Sequence, residues 1–298
     1  MKTKKEKEKL TKKEKQLDNS LQTFNVIPPA SEMSEKDEVL AKCYNDLLFF
    51  GRAFLPNDFL NKSASPLCHY QISKRLISTK PGERICIILP RGFGKSILSK
   101  TAILHKLCFS GTDSQNFIAW VSEEQGQSID HLKFLRYHLE TNKMIKYYFG
   151  NMDGGSVGKR WTEKDLVTPK GDRIIAKGTS QRLRGRAEVD VRYTGIILDD
   201  FESELNTKTP DRRNDIKRWV VSTIYPALEE SPGREGWIWL AGTIVHFDSF
   251  LQMTYDGFQQ AKKDDRHYPW DVYFHSAIEN GKSIWPEQFS LKKIGAKK

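Results

Sequence analysis

The feature that most constrains this sequence is a short apolar block followed by a glycine-containing turn and a helical pattern. Residues 85–89 are apolar and rich in β-branched side chains, residues 90–94 form the turn, and Lys95-Ser96 precede apolar residues at helical spacing over 97–104. The apolar block predicts a buried strand, and the spacing after it predicts a helix. A strand, a glycine turn and Gly-Lys-Ser at the start of a helix together predict a phosphate-binding P-loop.

The residue types of the turn suit phosphate binding. Gly92 and Gly94 allow backbone angles that other residues avoid, so that successive N–H groups converge on phosphate oxygens. The helix N-terminus adds partial positive charge. We expect Lys95 to reach the β- and γ-phosphates and the Ser96 hydroxyl to bind Mg²⁺.

The turn departs from the usual Walker A motif in two places. Leu89 stands where the first glycine is usual, and Arg91 lies inside the loop, two residues before Phe93. We therefore interpret the segment as a variant Walker A loop. In it Arg91 would sense or stabilise the γ-phosphate.

An acidic cluster follows a second apolar block. Residues 193–198 predict a core strand, and Asp199, Asp200 and Glu202 come directly after it. Carboxylates at the carboxyl end of a parallel strand face the ligand crevice of an open α/β sheet. In a Walker B arrangement Asp199 would hold Mg²⁺ and the next carboxylate would polarise the attacking water. Asp200 fits as the adjacent residue, but we favour Glu202, because of its residue type and because alternate positions of an extended segment point to one side.

Two polar segments are candidates for contacts with nucleotide or DNA. Gln71 precedes the P-loop, and its carboxamide offers the donor and acceptor that an adenine edge requires. The loop over 178–187 carries Arg182, Arg184 and Arg186. This loop is either simply solvated, or its arginines contact phosphates of DNA or of a neighbouring subunit's nucleotide.

The rest of the chain alternates strand and helix patterns. One helix is predicted over 35–54. A second is predicted to be capped by Ser122, with Gln125 as the capping-box partner. A hairpin is predicted over 166–177, with its turn at 169–172. Further strands are predicted over 117–121, 237–243 and 271–278, the last a possible edge strand, and further helices over 210–228 and 247–258. This alternation predicts a largely parallel sheet covered on both faces.

Composition limits the class of protein and its partners. The net charge of +10 permits a polyanionic partner, but residues 1–17 alone hold eight Lys and three Glu and predict a disordered tail. The four cysteines form no C-x-x-C pair, so buried reduced thiols are expected rather than a metal site. No apolar run reaches the length of a membrane span, and the Lys/Glu-rich start is unlike a signal peptide.

Taken together, the motifs resemble the ATPase domain of the terminase large subunit of tailed bacteriophages, the motor of viral DNA packaging. Gln71 resembles the family's adenine motif, and residues 90–96 resemble its variant Walker A. Residues 179–186 resemble its Arg-Gly loop, and residues 196–202 its Walker B with the catalytic carboxylate. Residues 241–243 resemble its coupling motif, and 283–289 the segment before its nuclease domain.

The resemblance implies a fold, cofactors and partners. The fold is an α/β P-loop NTPase of the additional-strand, catalytic-glutamate type, with a mainly parallel central sheet flanked by helices. Residues 1–35 would be a basic tail, 36–280 the ATPase domain and 281–298 the start of a linker. ATP and Mg²⁺ would be the cofactors, and Thr243 would couple phosphate release to movement.

The implied setting is phage assembly in the host cytoplasm. The partners would be double-stranded DNA, the portal protein and the small terminase subunit, with no membrane. The chain would form a homo-oligomeric ring on the procapsid and could be a monomer in solution. The arginine acting in trans would be Arg182, Arg184 or Arg186. The family continues into an RNase H-like nuclease, and we expect no packaging-type DNA cleavage from these 298 residues.

Three other functions fit parts of the pattern. A helicase or other DNA-dependent translocase needs a second motor domain or a hexameric ring. A non-catalytic nucleotide-binding adaptor would bind ATP without turnover, against which Lys95, Asp199 and Glu202 argue. A small-molecule kinase needs an acceptor site, and the sequence shows no signature of one.

Overall fold

Seven strands form one central sheet in the computed structural model, which describes residues 33–59, 64–111, 116–183 and 192–295. The strands are β1 (Arg84–Ile88), β2 (Phe117–Ser122), β3 (Asp165–Val167), β4 (Arg173–Gly178), β5 (Gly195–Asp199), β6 (Trp237–Gly242) and β7 (Asp271–Phe274). Their order is β3-β4-β2-β5-β6-β1-β7, and β3–β4 is antiparallel while the other neighbours are parallel. The predicted parallel sheet is therefore confirmed, with β7 at one edge.

Helices cover both faces of this sheet. They are α1 (Met33–Asn45), α2 (Leu47–Phe54), α3 (Leu67–Ile77), α4 (Lys95–Phe109), α5 (Gln125–Thr141), α6 (Lys143–Phe149), α7 (Pro210–Trp219), α8 (Tyr225–Ala227), α9 (Phe250–Lys263) and α10 (Leu291–Gly295). A 3₁₀ turn spans Gly155–Val157, a π-helical segment spans Val220–Ile224, and β8 (Ile278–Glu279) pairs with β9 (Lys282–Ser283) in a separate hairpin.

The pleat of the strands divides the core into two apolar layers. Along β1, Ile85 and Ile87 pack into the layer under α1 to α6, whereas Cys86 and Ile88 pack into the layer with α7 and α9. Successive side chains of a strand point to opposite faces, so a strand buried on both faces is apolar throughout. This is why residues 85–89 carry no polar alternation.

The parallel strands bring three loops to one edge of the sheet. The P-loop follows β1, Asp199 ends β5, and Thr243 follows β6. Strand β6 lies between β1 and β5 and pairs with both. Because the carboxyl ends of parallel strands share one edge, segments far apart in sequence meet there.

The single helix predicted over 35–54 is wrong. The structure has two helices, α1 and α2, which meet at Asp46. Asp46 has extended backbone angles and its Oδ1 accepts the N–H of Phe49 at 3.0 Å, so it caps α2. An Asp side chain that bonds the backbone in this way starts a new helix rather than continuing the old one.

The predicted cap of α5 is also wrong. Ser122 is the last residue of β2, and the N-cap is Glu124, two residues further on. The Glu124 N–H lies 3.5 Å from Oε1 of Gln127, which takes the capping-box position predicted for Gln125. Strand β2 extends through Ser122 because this residue pairs with Gly178 in the parallel ladder. The helix therefore begins further along the chain, at Gln125.

The other predicted elements occur with shifted ends. The hairpin over 166–177 is confirmed as β3–β4, and the helix over 210–228 is present but passes through the π-helical segment. The helix predicted over 247–258 begins only at Phe250, since the Ser249 hydroxyl caps it. The strand predicted over 271–278 ends at Phe274.

The remaining predictions concern the two ends of the chain and the four cysteines. Residues 1–32 of the predicted tail lie outside the described residues. Residues 282–295 pack back onto the body, with Trp285 and Phe289 buried. The four cysteines are buried and free, as predicted, and burial raises the pKa of the Cys43 and Cys68 thiols to about 12. The described helices include none of the length and apolarity needed to cross a bilayer.

Candidate phosphate-binding site

The predicted P-loop links the end of β1 to the start of α4. Gly92 and Gly94 have φ angles of +83° and +79°, the left-handed region expected of them. Gly94 is the N-cap of α4, so Lys95 and Ser96 are the first residues of a 15-residue helix. The partial positive charge of that helix end and the free N–H groups of its first turn face the loop. The backbone geometry of the loop is therefore compatible with phosphate binding.

Lys95 holds the P-loop to the end of β6. Its Nζ donates to the carbonyl oxygens of Leu89 at 3.2 Å and Pro90 at 3.3 Å, and to Thr243 Oγ1 at 2.9 Å. The Thr243 hydroxyl in turn donates to the Leu89 carbonyl at 2.9 Å. Burial lowers the pKa of Lys95, and the nearby carboxylates of Asp200 and Asp199 oppose that effect. The structure thus brings together the two residues predicted to bind phosphate and to couple its release.

Ser96 and Asp199 form the second pair. The Ser96 hydroxyl donates to Asp199 Oδ1 at 3.2 Å, and Asp199 is only 1% exposed at the end of β5. Burial and the neighbouring carboxylate of Asp200 raise the pKa of Asp199 to about 7. Asp199 Oδ2 is buried without a hydrogen-bond partner among the described residues, although His131 Nε2 lies 3.2 Å away.

This pair fits Mg²⁺ held together with phosphate oxygens. A hydroxyl and a carboxylate are hard oxygen donors, and Mg²⁺ in nucleotide sites takes one or two such side chains besides the phosphates and water. The Ser96 hydroxyl and Asp199 Oδ1, 3.2 Å apart, place two such oxygens together at the carboxyl edge of the sheet. In the described part of the chain no group of three His, Cys, Asp or Glu side chains could hold a metal by itself.

Asp200 lies at the open edge of the same site. Its φ is +45°, its side chain is exposed, and its N–H donates to the Ala241 carbonyl at 2.9 Å. Its Oδ1 would lie 3.7 Å from a Cβ added at Gly242, so the carboxylate sits over the end of β6. Its negative charge acts on Lys95 and favours the protonated form of that lysine. Its carboxylate is thus accessible to water beside the predicted phosphate position.

Glu202 points elsewhere. Its two carboxylate oxygens accept the N–H groups of Phe250 at 2.6 Å and Leu251 at 2.9 Å, which are the first residues of α9. Burial raises its pKa although these N–H groups and Lys217 favour the charged form. The expectation that Asp200 and Glu202 point to one side of an extended segment is wrong, because the left-handed backbone at Asp200 turns the chain.

Arg91 and Gln71 lie on the surface. Arg91 has a side chain 73% exposed, 3.6 Å from the equally exposed carboxylate of Glu204. Gln71 is an exposed residue in the middle of α3, and no hydrogen-bond partner for its carboxamide occurs among the described residues. The structure therefore places Arg91 beside the phosphate loop but shows no contact between Gln71 and the loop.

The basic loop after β4 is described only up to residue 183. The Thr179 hydroxyl donates to the carbonyls of Ser122 at 3.0 Å and Phe201 at 3.3 Å, which ties the loop to the carboxyl edge of the sheet. Arg182 is exposed. The other two candidate arginines, Arg184 and Arg186, lie outside the described residues.

Two contacts with the P-loop have no local signal in the sequence. His69 of α3 donates from Nε2 to the Phe93 carbonyl at 2.9 Å. The Phe93 ring stacks on Phe289 with centroids 4.6 Å apart and planes at 13°, and Trp285 lies edge-on to both. His69 lies two residues before Gln71, the residue predicted to contact adenine. Helix α3 therefore contacts the loop through His69 and not through Gln71.

No protein-family model matches the chain, and a search of curated proteins finds no match to it. The interpretation of the site therefore rests on its residues and their geometry.

Proposed function

We propose that this chain binds Mg·ATP at the P-loop and hydrolyses it. The observation that carries the proposal is the meeting of Lys95, Ser96, Asp199 and Thr243 at one edge of the sheet, linked by hydrogen bonds of 2.9 to 3.2 Å. Lys95 and Ser96 begin α4 after β1, Asp199 ends β5, and Thr243 follows β6. Their types are those that bind phosphate and a divalent cation.

Each side chain has a role in the proposed reaction. Lys95 exchanges its bonds to the Leu89 and Pro90 carbonyls for phosphate oxygens, while Thr243 keeps it aligned. Ser96 and Asp199 hold Mg²⁺, which when bound neutralises charge on the phosphates. Asp200 accepts a proton from the water that attacks the γ-phosphorus, as the bond from phosphorus to the ADP oxygen breaks. Arg91 adds positive charge near the γ-phosphate.

Asp200 is the better candidate for this proton transfer. A general base must lie within hydrogen-bond reach of the water, and the Asp200 carboxylate is exposed beside Lys95. Glu202 has both oxygens occupied by backbone N–H groups. In our proposal Glu202 fixes α9 against the Walker B loop, and so positions Asp200 indirectly.

The proposed biological role is DNA packaging in a tailed phage. It rests on the resemblance of the motifs in residues 71–289 to those of terminase large subunits. The insertion of β6 between β1 and β5 supports the additional-strand type of P-loop ATPase. The net charge of +10 suits double-stranded DNA as a partner. A portal-bound ring in the host cytoplasm, a small terminase subunit and an arginine supplied in trans by residue 182, 184 or 186 belong to the same proposal.

The test is phosphate release from ATP by the full chain, with and without duplex DNA. We expect Mg²⁺-dependent turnover that disappears in Lys95→Ala and persists in Lys262→Ala, an exposed lysine of α9. Stimulation by duplex without strand separation supports a packaging motor, whereas strand separation supports a helicase. Tight ATP binding without turnover at any protein concentration would contradict hydrolysis and favour an adaptor. Absence of Mg²⁺-dependent nucleotide binding would contradict the site itself.

A further inference from the structure

A histidine outside the predicted motifs lies against the Walker B aspartate. His131 is on α5, and its Nε2 is 3.2 Å from Asp199 Oδ2, the oxygen that Ser96 does not contact. The Asp199 side chain is 1% exposed and that of His131 is 17% exposed, so the contact is largely shielded from water. The two Asp199 oxygens thus face different partners, Ser96 on one side and His131 on the other.

The His131 ring is held in place by the sheet. It stacks on Trp120 with centroids 4.8 Å apart and planes at 30°. Trp120 lies in β2 and is paired in register with Ile197 of β5, two residues before Asp199. The imidazole is therefore supported by the strand next to the one that carries Asp199. A rigidly held ring can orient the group that it contacts.

No other described side chain offers a hydrogen bond to this oxygen. Asp199 Oδ2 has no aligned hydrogen bond among the described residues. Lys100 of α4, whose charge favours the ionised form of Asp199, has its Nζ over the Phe134 ring at 4.2 Å from the centroid. A buried carboxylate oxygen without a donor costs free energy, so a small rotation that aligns His131 Nε2–H with Oδ2 is favourable.

We infer that His131 is a positioning residue for the metal site: its Nε2–H fixes the Asp199 carboxylate so that Oδ1 stays directed at Ser96 and the cation. The inference rests on the proposed function, because it assigns His131 a role in holding Mg²⁺ with nucleotide. Groups that orient metal ligands in this way change metal affinity by about 10- to 100-fold when they are removed.

Two substitutions separate the donor from the ring. His131→Phe keeps an aromatic ring on Trp120 but has no donor, whereas His131→Gln places an amide N–H near the position of Nε2 without the ring. His131→Asn carries the same amide on a shorter side chain and should not reach Asp199. His267→Gln, at an exposed position, is the matched control.

The experiment measures binding of a fluorescent ATP analogue during Mg²⁺ titration and in EDTA, together with thermal unfolding. We expect His131→Phe and His131→Asn to need about 10- to 100-fold more Mg²⁺ for half-maximal binding, with unchanged affinity in EDTA. His131→Gln should recover most of this loss, and His267→Gln should behave like the parent.

Four results would overturn the inference. Unchanged Mg²⁺ dependence in His131→Phe would mean that the donor has no role. Equal impairment of the Phe and Gln variants, or affinity lost equally in EDTA, would mean that His131 acts through folding alone. If the parent chain shows no Mg²⁺-dependent binding, the proposed function fails first and the inference fails with it. Normal Mg²⁺ dependence of the parent with an insensitive His131→Phe overturns only the role of His131.

Discussion

Lys95 and Thr243 lie 148 residues apart in the sequence and are joined by a 2.9 Å hydrogen bond across the open edge of the sheet. The same threonine donates to the carbonyl of Leu89, the residue that begins the P-loop. A single hydroxyl thus connects the lysine predicted to bind phosphate, the loop and the end of β6. Movement of Lys95 towards a phosphate would change the position of Thr243 and of the segment that follows it.

The first prediction concerns this hydroxyl. Thr243→Val keeps the shape of the side chain but removes the acceptor for Lys95 and the donor to Leu89. Since hydrogen bonds to charged groups contribute about 1.5–3 kcal/mol, we expect kcat to fall by about 10- to 100-fold. Steady-state ATPase kinetics would measure this fall, and Thr243→Ser should retain most of the rate. Equal rates for the valine and serine variants would contradict a role for the hydroxyl.

The second prediction separates the two candidate carboxylates. Asp200→Asn should lower single-turnover hydrolysis by about 10²- to 10⁴-fold, as expected for loss of a general base, with little change in stability. Among the described residues its exposed side chain has no hydrogen-bond partner to lose, and it interacts with the charge of Lys95. A full rate in Asp200→Asn would exclude this residue as the base.

Glu202→Gln should act mainly on stability. The amide has one acceptor oxygen, so its NH₂ group would face one of the N–H groups of Phe250 and Leu251, and an unsatisfied buried pair costs about 1–3 kcal/mol. We expect a lower thermal midpoint, measured by calorimetry, and residual hydrolysis above that of Asp200→Asn. A fully stable Glu202→Gln variant without activity would instead restore Glu202 as the catalytic carboxylate.

The fourth prediction concerns the aromatic contact under the P-loop. Phe289→Ala removes a ring that is 7% exposed and stacked on Phe93, at a cost of about 3 kcal/mol in the free energy of unfolding. We also expect a higher KM for ATP, because Phe93 loses one of its supports. Phe247→Ala, at a side chain 80% exposed, should change stability by less than about 0.5 kcal/mol in the same denaturant titration. Comparable losses in the two variants would argue against a special role for the stack.

The fifth prediction is an acid-sensitive stability. Burial lowers the pKa of His69 and of His105 to about 4, from an ordinary value of 6.5. Between these values the unfolded chain takes up protons that the folded chain does not, so stability falls as the pH falls. Each histidine contributes about 1.4 kcal/mol per pH unit, levelling off below pH 4. His131, whose pKa burial also lowers to about 4, adds a third such contribution, whereas Asp199, whose pKa is raised to about 7, contributes a slope of the opposite sign. Urea titrations between pH 7.5 and 4.5 would measure it.

A substitution at His69 measures how much of this pH dependence arises from that residue. His69→Gln keeps a donor for the Phe93 carbonyl but has no titrating group, so the slope should decrease by the share of one histidine. In the parent, protonation would add an N–H at His69 Nδ1, which is buried and has no hydrogen-bond partner among the described residues. An unchanged slope in His69→Gln would show that the acid sensitivity arises elsewhere.

Local pattern was sufficient to predict the strands and the glycine turn that follows β1. Apolar runs such as residues 85–89 and 193–198 mark strands buried on both faces. Left-handed backbone angles were expected at Gly92 and Gly94, and both glycines have them. These features depend on a few adjacent residues. The sequence therefore contains the signal directly.

The side-chain directions at the site could not be predicted in the same way. One left-handed residue, Asp200, reverses the expected direction of Glu202, and nothing in its residue type requires that conformation. The contacts of His69 and His131 depend on how α3 and α5 pack on the sheet, which helical periodicity does not specify. The end of α1 at Asp46 was missed because a capping interaction took precedence over a continuous apolar pattern.

The packing of Phe289 and Trp285 on Phe93 supports the loop after β1 from the far end of the sequence. A version shortened before Trp285 would leave the Phe93 ring and the edge of His69 open to water, since Trp285 contacts both. The segment after β9 is therefore part of the packing around this loop. A minimal fragment for expression or for exchange between proteins would have to extend through Phe289.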